Sequence, residues 1–360
     1  MQKQILVICP YPEGLAASQR LKYEQYFEGW KEAGYSIKVS SFFDEKEWRI
    51  LYKEGNFFKK IFATIKGYIK RIKDLLSLRD FDVIYICMWA APLFDRFFET
   101  LIIRYSKRVV FDFDDSIHLE IDPNIDKFYK RLFKGRGKIQ YLIKNSNYVI
   151  TSSPFNLDYC KVNNVFSSAN YIPCSLDANK FKPKTTNNMD RKITLGWTGT
   201  FTSKNYLDSI RDLLIKACDE FNLKLILITN FDYHLPDIDI EVIYWNKDTE
   251  IEDLQRIDIG LYPLLESKWA LGKGGLKVLQ YMSIGIPSIS SNFGTAQRII
   301  DHEVNGYLAS DEDEWFKYIS KLVASSSLRQ NMGALARKKF IEEYSTHSNL
   351  PKYLEALQGS

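Results

Sequence analysis

Short runs of apolar residues alternate along the chain with longer segments in which apolar residues recur every three or four positions. The short runs predict buried β-strands and the longer segments predict helices, and their regular alternation is typical of parallel α/β architecture. Helical spacing is clear in 20–33, 208–221 and 275–284. The predicted strands are 5–9, 36–42, 83–88, 109–113, 148–151, 193–197, 225–229, 241–245, 259–262, 288–291 and 306–308.

The strands fall into two sets, separated by a segment that is rich in proline and small polar residues. A chain of 360 residues is long enough for two domains. We therefore predict two Rossmann-like, doubly wound domains that face each other across a cleft, because open α/β sheets bind ligands at the carboxyl edge of their strands. The predicted boundaries are 1–174 for the first domain, 175–190 for a linker, 191–345 for the second domain and 346–360 for a segment able to cross back to the first.

Composition and cysteine usage narrow the class of protein. The chain is 45% hydrophobic and 26% charged, which is typical of a globular protein. Its 5 cysteines are scattered and form no CxxC pair, which argues against a zinc site or a disulfide framework and favours the cytoplasm. The first apolar run ends at Pro10, too early for a signal peptide, and no segment is apolar for long enough to span a bilayer.

The charge is unevenly distributed. Residues 1–184 carry 30 Lys+Arg and 21 Asp+Glu, a net charge of +9, whereas residues 185–360 carry 19 and 24, a net charge of −5, and the two sum to +4. A basic first half favours an anionic partner, such as a membrane surface or a phosphorylated ligand. The 14% of aromatic residues lie mostly at core-like spacings and show no RNA-binding signature, so we predict no nucleic-acid partner.

A glycine-rich segment follows one of the predicted strands and opens a predicted helix. Backbone N–H groups at a helix N-terminus, which glycine leaves accessible, suit a diphosphate, and lysines supply countercharge. An amide one turn further along can bond sugar hydroxyls. The alternative is a glycine-rich turn with two solvated lysines. The residues concerned are Lys273, Gly274, Gly275, Lys277 and Gln280.

Four ordered motifs resemble the C-terminal domain of glycosyltransferase family 4: GKGGLKVLQYMSIGIPSISS, GTAQRIIDHEVNGYLAS, DEDEWFKYISKLV and LRQNMGALARKKFIEEYS. A weaker, collinear resemblance runs through the first half, including VVFDFDDSIHL and YVITSSPFNLDYC. The resemblance implies the GT-B fold and transfer of sugar, mostly with retention of configuration, from a nucleotide-diphosphate sugar without a metal or other cofactor. It places Lys273, Gly274, Gly275 and Lys277 at the diphosphate and Gln280 at the ribose.

The sequence departs from the family pattern at two positions. The family often carries two glutamates eight residues apart around this loop, and here the positions hold Gly272 and Gln280. A glutamine can still bond ribose hydroxyls, and the LQYM motif looks like a subfamily variant. The missing first acid leaves the sugar undetermined.

Two further glycine-containing loops follow the first strand of each predicted domain. In the second domain, the family uses this loop to contact the donor phosphates; Gly199 and Lys204 match it, but Thr200 occupies the arginine position. In the first domain, Gly14 would let a ligand approach the backbone and Arg20 would hold an anionic group, which makes this loop a candidate acceptor site. The alternatives are an ordinary turn with a solvated lysine and an ordinary βα loop with an exposed arginine.

Three carboxylates and a histidine follow the strand 109–113. Alternation aims Asp112 and Asp114 to one side of the strand, with Asp115 in the next loop, and carboxylates so close predict a polar site. The resemblance implies acceptor and catalytic chemistry there, with Asp114, Asp115 and His118 as candidates to orient or deprotonate a hydroxyl. The alternatives are a helix cap, a metal-binding Asp-x-Asp of the single-domain glycosyltransferase fold, and the nucleophile of a haloacid-dehalogenase-like phosphatase.

The segment 56–78 predicts a basic amphipathic helix. Six apolar residues fall at helical spacing, and residues 57–79 carry seven Lys+Arg and one Asp. Such a helix can lie in an anionic membrane interface, or it can pack on a core with a solvated basic face. Its apolar residues are Phe58, Phe62, Ile65, Ile69, Ile72 and Leu76, and its lysines are Lys59, Lys66, Lys70 and Lys73.

Together these features predict a glycosyltransferase that acts on a glycan or lipid-linked glycan in bacterial cell-envelope or surface polysaccharide assembly. We expect it in the cytoplasm, either free or attached peripherally to the inner face of the membrane. Two alternatives stay open: a nucleotide-sugar epimerase on the same fold, and a non-catalytic sugar-nucleotide-binding membrane partner.

Overall fold

The chain divides into two compact units. The first comprises Met1–Pro173 with Gly272–Gly274 and Asn349–Ser360, and the second comprises Cys174–Leu271 with Gly275–Ser348. Of the predicted linker, residues 184–190 lie outside the described part of the chain. The structure is a computed structural model, and it describes residues 2–51, 53, 55–119, 137–183 and 191–359.

A sheet of six parallel strands forms the centre of the first unit: β1 (Lys3–Cys9), β2 (Tyr35–Ser41), β3 (Val83–Cys87), β4 (Val109–Phe113), β5 (Tyr148–Thr151) and β6 (Ala169–Tyr171). Their order in the sheet is β2-β1-β3-β4-β5-β6. Side chains of β1 alternate between two cores, with Leu6 and Ile8 in one and Ile5 and Val7 in the other. The sheet is therefore buried on both faces, as parallel sheets are.

Helices flank this sheet. The longest, Phe57–Leu76, has 20 residues. Ser153 caps the helix that follows β5 by accepting a hydrogen bond from the Asn156 backbone N–H, and Pro154 occupies its first turn. The helices described between residues 17 and 163 are α1 (Ala17–Arg20), α2 (Phe27–Glu32), α3 (Glu45–Leu51), α4 (Phe57–Leu76), α5 (Phe97–Tyr105), α6 (Gly137–Asn145) and α7 (Pro154–Asn163).

The predicted helix 20–33 is wrong as one continuous element. The segment instead contains the end of α1, a 3₁₀ turn at Glu24–Tyr26, and α2. Polar side chains account for the break: Gln19 is fully buried and bonds the backbone of Tyr11, and the buried Lys22 forms an ion pair with Asp112. Those inward polar contacts interrupt a regular amphipathic helix.

A second sheet of six parallel strands forms the centre of the second unit: β7 (Thr194–Thr198), β8 (Lys224–Thr229), β9 (Asp239–Tyr244), β10 (Ile259–Tyr262), β11 (Ser288–Ser291) and β12 (Tyr307–Ala309). Their order is β12-β11-β10-β7-β8-β9. The chain order reverses direction between β10 and β7, which are neighbours. Such a reversal is where doubly wound sheets place their ligands.

The helices from residue 204 onward begin with α8 (Lys204–Asp208), which follows the β7 loop. Gly285 follows the helix Leu276–Ser283 at φ 72°, a left-handed backbone conformation that favours glycine. The remaining helices are α9 (Arg211–Glu220), α10 (Glu250–Leu254), α11 (Lys268–Leu271), α12 (Leu276–Ser283), α13 (Ala296–Ile299), α14 (Glu312–Ala324), α15 (Ser326–Lys339) and α16 (Thr346–Gln358).

The end of α16 belongs to the core of the first unit. Tyr353, Ala356 and Leu357 are at most 1% exposed and pack in the same cluster as the side chains of β1. The Tyr353 ring centroid lies 4.4 Å from that of Tyr26, and the Arg108 guanidinium donates to the Ala356 carbonyl at 2.9 Å. The chain end therefore completes a core that the first residues of the chain begin.

The predicted fold class, two doubly wound parallel α/β units, is confirmed, and every predicted strand is present. Strand β6, at the edge of the first sheet, was not predicted from the pattern because it has only three residues. The five cysteines are buried and form no disulfide. Among the described helices, none has the length and apolar character needed to cross a lipid bilayer.

Candidate functional site

The glycine-rich segment of the second unit supplies a helix N-terminus beside a lysine. Gly275 precedes α12 at φ 73°, a left-handed conformation that costs a side-chain-bearing residue energy. A Cβ atom there would also lie 2.4 Å from the Ile299 Cδ1 atom, so the end of the Ile299 side chain would have to move. The first N–H groups of α12, which no residue of the helix can accept, are thus presented next to Lys277 in its first turn.

Aromatic rings hold the Lys277 side chain in place. Its Nζ atom lies 4.2 Å from the ring centroid of Trp197, at the end of β7, and 5.8 Å from that of Tyr262, at the end of β10. Cation–π attraction favours this placement of an ammonium group. Lys277 is therefore a positioned cation at the carboxyl edge of the second sheet, on the two neighbouring strands where the chain order reverses.

Gly199 adjoins this lysine. A Cβ atom at position 199 would lie 2.4 Å from Trp197 and 2.9 Å from the Lys277 Nζ atom. The predicted partners of the diphosphate site in the second unit, Gly199, Gly275 and Lys277, are thus brought together at one sheet edge. Trp197 and Tyr262 were not predicted from the sequence to be site residues. Each is an aromatic residue at the end of a predicted strand, and that position could have indicated them.

Lys204 has a different environment. Its ammonium group forms an ion pair with Asp208 at 2.7 Å and lies 5.1 Å from the ring centroid of Tyr233. Tyr233 in turn donates to Asp208 at 2.8 Å. A carboxylate therefore already neutralises the Lys204 charge, and the Lys277 ammonium group differs in lying over the rings of Trp197 and Tyr262.

Gln280 is buried, with 6% of its surface exposed. Its Nε2 atom donates to the Glu250 Oε1 atom at 3.1 Å, and Glu250 is 4% exposed. This hydrogen bond fixes the orientation of the Gln280 amide. It also places the Glu250 carboxylate beside Gln280, where the sequence predicted only an amide. Glu250 was not predicted, because it lies thirty residues away in sequence.

The segment Gly272–Gly274 groups with the first unit and lies against the loop after β4. A Cβ atom at Gly272 would lie 2.1 Å from the Ser116 Oγ atom and 2.5 Å from the Ser116 backbone nitrogen. The Lys273 Nζ atom lies 3.9 Å from an Asp115 carboxylate oxygen. Gly272 stands where the resembling family often has a glutamate, and in this arrangement no side chain fits there.

The acidic residues after β4 separate into different environments. Asp112 is fully buried; it forms an ion pair with Lys22, itself 1% exposed, and accepts a hydrogen bond from the Tyr85 hydroxyl. Burial raises the pKa of the Asp112 carboxyl, and Lys22 and Tyr85 oppose that rise. An inward, paired Asp112 does not present itself to a metal or a phosphate, which argues against the Asp-x-Asp and phosphatase alternatives.

Asp115 is the most perturbed of these carboxylates. Its backbone is left-handed at φ 50°, and Asn156, fully buried on α7, donates to its carbonyl at 2.8 Å. The side chain keeps 41% exposure, yet crowding by protein atoms and the neighbouring Asp114 raise its pKa to about 6, with Lys273 opposing the rise. The side chain is thus poised to exchange a proton near neutral pH.

His118 lies in an aromatic pocket. It is 4% exposed, and its ring centroid is 4.2 Å from that of Tyr159 and 6.0 Å from that of Phe113. Within the described residues, neither ring nitrogen has a hydrogen-bond partner. Desolvation lowers its pKa to about 4, so the imidazole is neutral at physiological pH.

The N-terminal loop is held by two side chains that the sequence did not single out. Gly14 is left-handed at φ 80°, and its N–H donates to Glu24 at 2.8 Å. Gln19, fully buried, donates to the Glu24 carboxylate at 3.0 Å and exchanges two hydrogen bonds with the Tyr11 backbone. Arg20 is the last residue of α1. Burial raises the pKa of Glu24, and the positive charge of Arg20 opposes that rise.

A cavity of about 360 Å³ opens at the carboxyl edge of the second sheet. The residues after β10, β11 and β12 line it, together with the start of α9. Its polar lining includes Arg211, Glu266, Asn292 and Asp311. A volume of this size suits a small polar ligand.

Comparisons with known proteins agree with this architecture. Residues 236–339 match the family of glycosyl transferases group 1, and this match supports a glycosyltransferase. Among curated proteins, none matches the sequence significantly.

Three solved structures share the fold over nearly the whole chain. A glycosyltransferase from Rickettsia africae is 14% identical, with a TM-score of 0.69 and 100% of both chains covered. Sucrose-phosphate synthase from Thermosynechococcus elongatus is 12% identical, with a TM-score of 0.67 and 98% of both chains covered. HepE from Anabaena, solved with UDP and glucose, is 13% identical, with a TM-score of 0.65 and 99% of both chains covered.

The chain therefore has the α/β fold of GT-B glycosyltransferases, and its residues 236–339 match glycosyl transferases group 1.

Proposed function

We propose that the protein transfers a sugar from a nucleotide-diphosphate sugar to an acceptor hydroxyl. The observation that carries the proposal is the Lys277 ammonium group, held 4.2 Å from the Trp197 ring centroid beside Gly199 and the start of α12. When a glycosyl bond breaks, negative charge develops on the departing nucleoside diphosphate. A fixed cation and the backbone N–H groups of a helix N-terminus stabilise that charge without reorganising.

The donor residues take separate roles in this proposal. Lys273, Lys277 and the backbone of Gly274 and Gly275 bind the diphosphate, with Gly199 leaving space for it. Gln280 binds the ribose, and the buried Glu250 orients the amide through their 3.1 Å hydrogen bond. Lys204 contributes at longer range, since Asp208 already pairs with it.

The acceptor residues belong to the first unit. The Gly14 loop and Arg20 bind the acceptor. Asp114, Asp115 and His118 orient or deprotonate the acceptor hydroxyl that receives the sugar. With a pKa of about 6, Asp115 is the best placed of these to accept a proton near neutral pH, whereas the neutral His118 suits an orienting role.

Finer features rest on the resemblance to glycosyltransferase family 4. We propose that transfer retains the anomeric configuration and needs no metal or other cofactor. We further propose that the acceptor is a glycan or lipid-linked glycan of a bacterial envelope or surface polysaccharide, and that the protein works in the cytoplasm or at the inner face of the membrane.

Nucleotide binding tests the site. HepE was solved with UDP, so UDP is the first ligand to measure. Lys277→Met keeps an apolar contact with Trp197 but removes the charge, and should weaken UDP binding by roughly tenfold in isothermal titration calorimetry. Lys273→Ala with Lys277→Ala should weaken it further. Lys338→Ala, on an exposed position of α15, is the matched control and should bind as the wild type does.

The same measurements separate the alternatives. If no nucleoside diphosphate in a panel stabilises the protein, or if both lysine variants bind as tightly as the wild type, the diphosphate assignment is wrong. An epimerase would convert the donor sugar without an acceptor, so product analysis with and without acceptor distinguishes it. Binding without turnover on any extract acceptor would indicate a non-catalytic partner.

A further inference from the structure

Helix α4 of the first unit exposes a continuous row of large apolar side chains. A row of this size on one face of a helix is rare on a protein surface that has no partner. The exposed fractions are 68% for Phe57, 74% for Phe58, 40% for Ile61, 70% for Phe62, 50% for Ile65, 50% for Ile69, 52% for Ile72 and 85% for Leu76.

The opposite face of α4 packs on the unit. Its buried residues are Ala63, Gly67, Arg71 and Asp74, two of them small and two charged. Their spacing of three and four residues places them on one side of the helix, half a turn from the exposed row. The usual arrangement, an apolar face inward and a polar face outward, is therefore reversed.

Polar contacts fix this reversed orientation. The buried Arg71 guanidinium donates to the Cys9 carbonyl at 2.9 Å and to the Ala90 carbonyl, and pairs with Asp74 at 2.9 Å. Ser40 donates to Asp74 at 2.6 Å. These buried hydrogen bonds hold helix α4 against the loop after β3 and the ends of β1 and β2, and they leave its apolar row facing solvent.

Positive charge flanks the row. Lys59, Lys66, Lys70 and Lys73 recur at helical spacing along one side of it, and residues 57–79 carry seven Lys+Arg against one Asp. Phe94, 63% exposed, extends the apolar surface by packing on the Tyr68 ring at 5.1 Å between centroids. The face is therefore apolar along its centre and basic along one edge.

We propose that this face docks the protein on an anionic lipid surface, with α4 lying parallel to it. The apolar row would enter the boundary between headgroups and acyl chains, to a depth of about 5–10 Å, and the lysines would remain among the phosphates. A second copy of the chain fits the face less well in an antiparallel pairing of the two α4 helices, because that contact brings both lysine rows together. The residues involved lie outside the proposed nucleotide site, so the inference does not depend on it.

Vesicle flotation tests the docking face on the full-length protein. The wild type should float with vesicles of phosphatidylglycerol and phosphatidylethanolamine and stay unbound with phosphatidylcholine alone. Phe58→Gln, Phe62→Gln and Ile69→Gln together should reduce binding at least tenfold.

Lys59→Gln with Lys73→Gln should reduce vesicle binding about tenfold and remove most of its salt dependence. These two lysines are chosen because Lys66 pairs with Glu47 at 3.1 Å and Lys70 donates to the Ser41 carbonyl.

The chain offers a matched control. Val162, Val165 and Phe166 are 85%, 58% and 54% exposed near the end of α7 in the same unit. Replacing all three with glutamine removes as many exposed apolar side chains and should leave flotation unchanged. Circular dichroism and UDP binding establish that each variant is folded, and since flotation uses no nucleotide, its result is independent of the proposed donor site.

Three outcomes would overturn the proposal: no flotation of the wild type, equal flotation of the apolar triple variant, or equal loss in the α7 control. A wild-type dimer that the apolar triple variant converts to a monomer, without a change in flotation, would show that the face is instead an interface between two copies.

Discussion

Asp115 combines a left-handed backbone with a carboxyl group whose pKa is raised to about 6 from an ordinary value of 3.8. Because the folded protein holds this proton more tightly than the unfolded chain, the stability it contributes is fully present below about pH 3.8 and is lost as pH rises through about 6. At neutral pH the ionised Asp115 side chain therefore destabilises the folded state. The cause is the same as that of the raised pKa: the surrounding protein atoms and the neighbouring Asp114 disfavour the charged form.

Asp115→Asn should raise the melting temperature at neutral pH by about one to three degrees. Asparagine tolerates the left-handed conformation and carries no charge, so the advantage should shrink as pH falls towards 4, where the wild-type carboxyl is protonated. Thermal melts across this range measure it. Asp158→Asn, at an exposed position on α7, is the control. Parallel pH profiles for wild type and Asp115→Asn would contradict the assignment.

Single residues of the candidate site were predictable where the chemistry is local. The lysines and glycines from Gly272 to Lys277 stand next to one another in sequence, so a short motif is enough to predict a diphosphate site there. Glu250, which bonds Gln280, and Trp197, which holds Lys277, come from other strands and helices. The packing of helices on each other and on the sheet brings these residues together, and one sequence does not show that packing.

At the scale of elements, α4 shows how close packing can reverse a propensity. Gly67 lies in the middle of the helix, where alanine is ordinarily better by about 1 kcal/mol. A Cβ atom there would lie 2.4–2.6 Å from three atoms of the Phe42 ring, which is fully buried. The helix approaches β2 and its following loop because position 67 has no side chain.

Gly67→Ala should therefore lower the melting temperature, by several degrees, even though it improves helix propensity. The cause is overpacking, which typically costs about 1–3 kcal/mol. Differential scanning calorimetry gives the value, with Lys59→Ala on the exposed side of the same helix as the control. A rise in melting temperature for Gly67→Ala would mean that α4 packs less tightly on Phe42 than described here.

At the scale of the molecule, the first unit is built from both ends of the chain. Tyr353 is fully buried against Tyr26 and Trp30, with ring centroids 4.4 and 5.9 Å away, and Leu350 fills the space beside Gly29. The hydrophobic core around β1 thus includes side chains from residues near 350, and it would be partly exposed to solvent without them. Its stability depends on a segment more than three hundred residues away in sequence.

Tyr353→Ala should lower the free energy of unfolding of the first unit by about 3–5 kcal/mol, the cost of truncating a buried aromatic side chain. Removing 349–360 should expose the same core and prevent that unit from folding stably. Urea unfolding followed by near-ultraviolet circular dichroism reports the loss, and Gln358→Ala, at an exposed position, is the control. Native-like unfolding of the truncated chain would refute this dependence.

Hydrophobic periodicity, together with the proline-rich segment between the two sets of strands, predicted the two α/β units and every strand of both sheets except β6, because a buried parallel strand must be apolar on both faces and a crossover helix must repeat every three or four residues. The proposed diphosphate site could also be predicted from sequence, since a helix N-terminus and its lysines lie within a few residues. Tertiary structure decided the surroundings of each charge: Asp112 and Lys22 neutralise each other inside the core, Lys204 pairs with Asp208, and the Lys277 ammonium group lies over the Trp197 ring. It also decided that α4 turns its apolar row outward. A single helix has the same periodicity whichever face packs. The buried contacts of Arg71 and Asp74 with residues of distant strands, together with the close packing at Gly67, select the face.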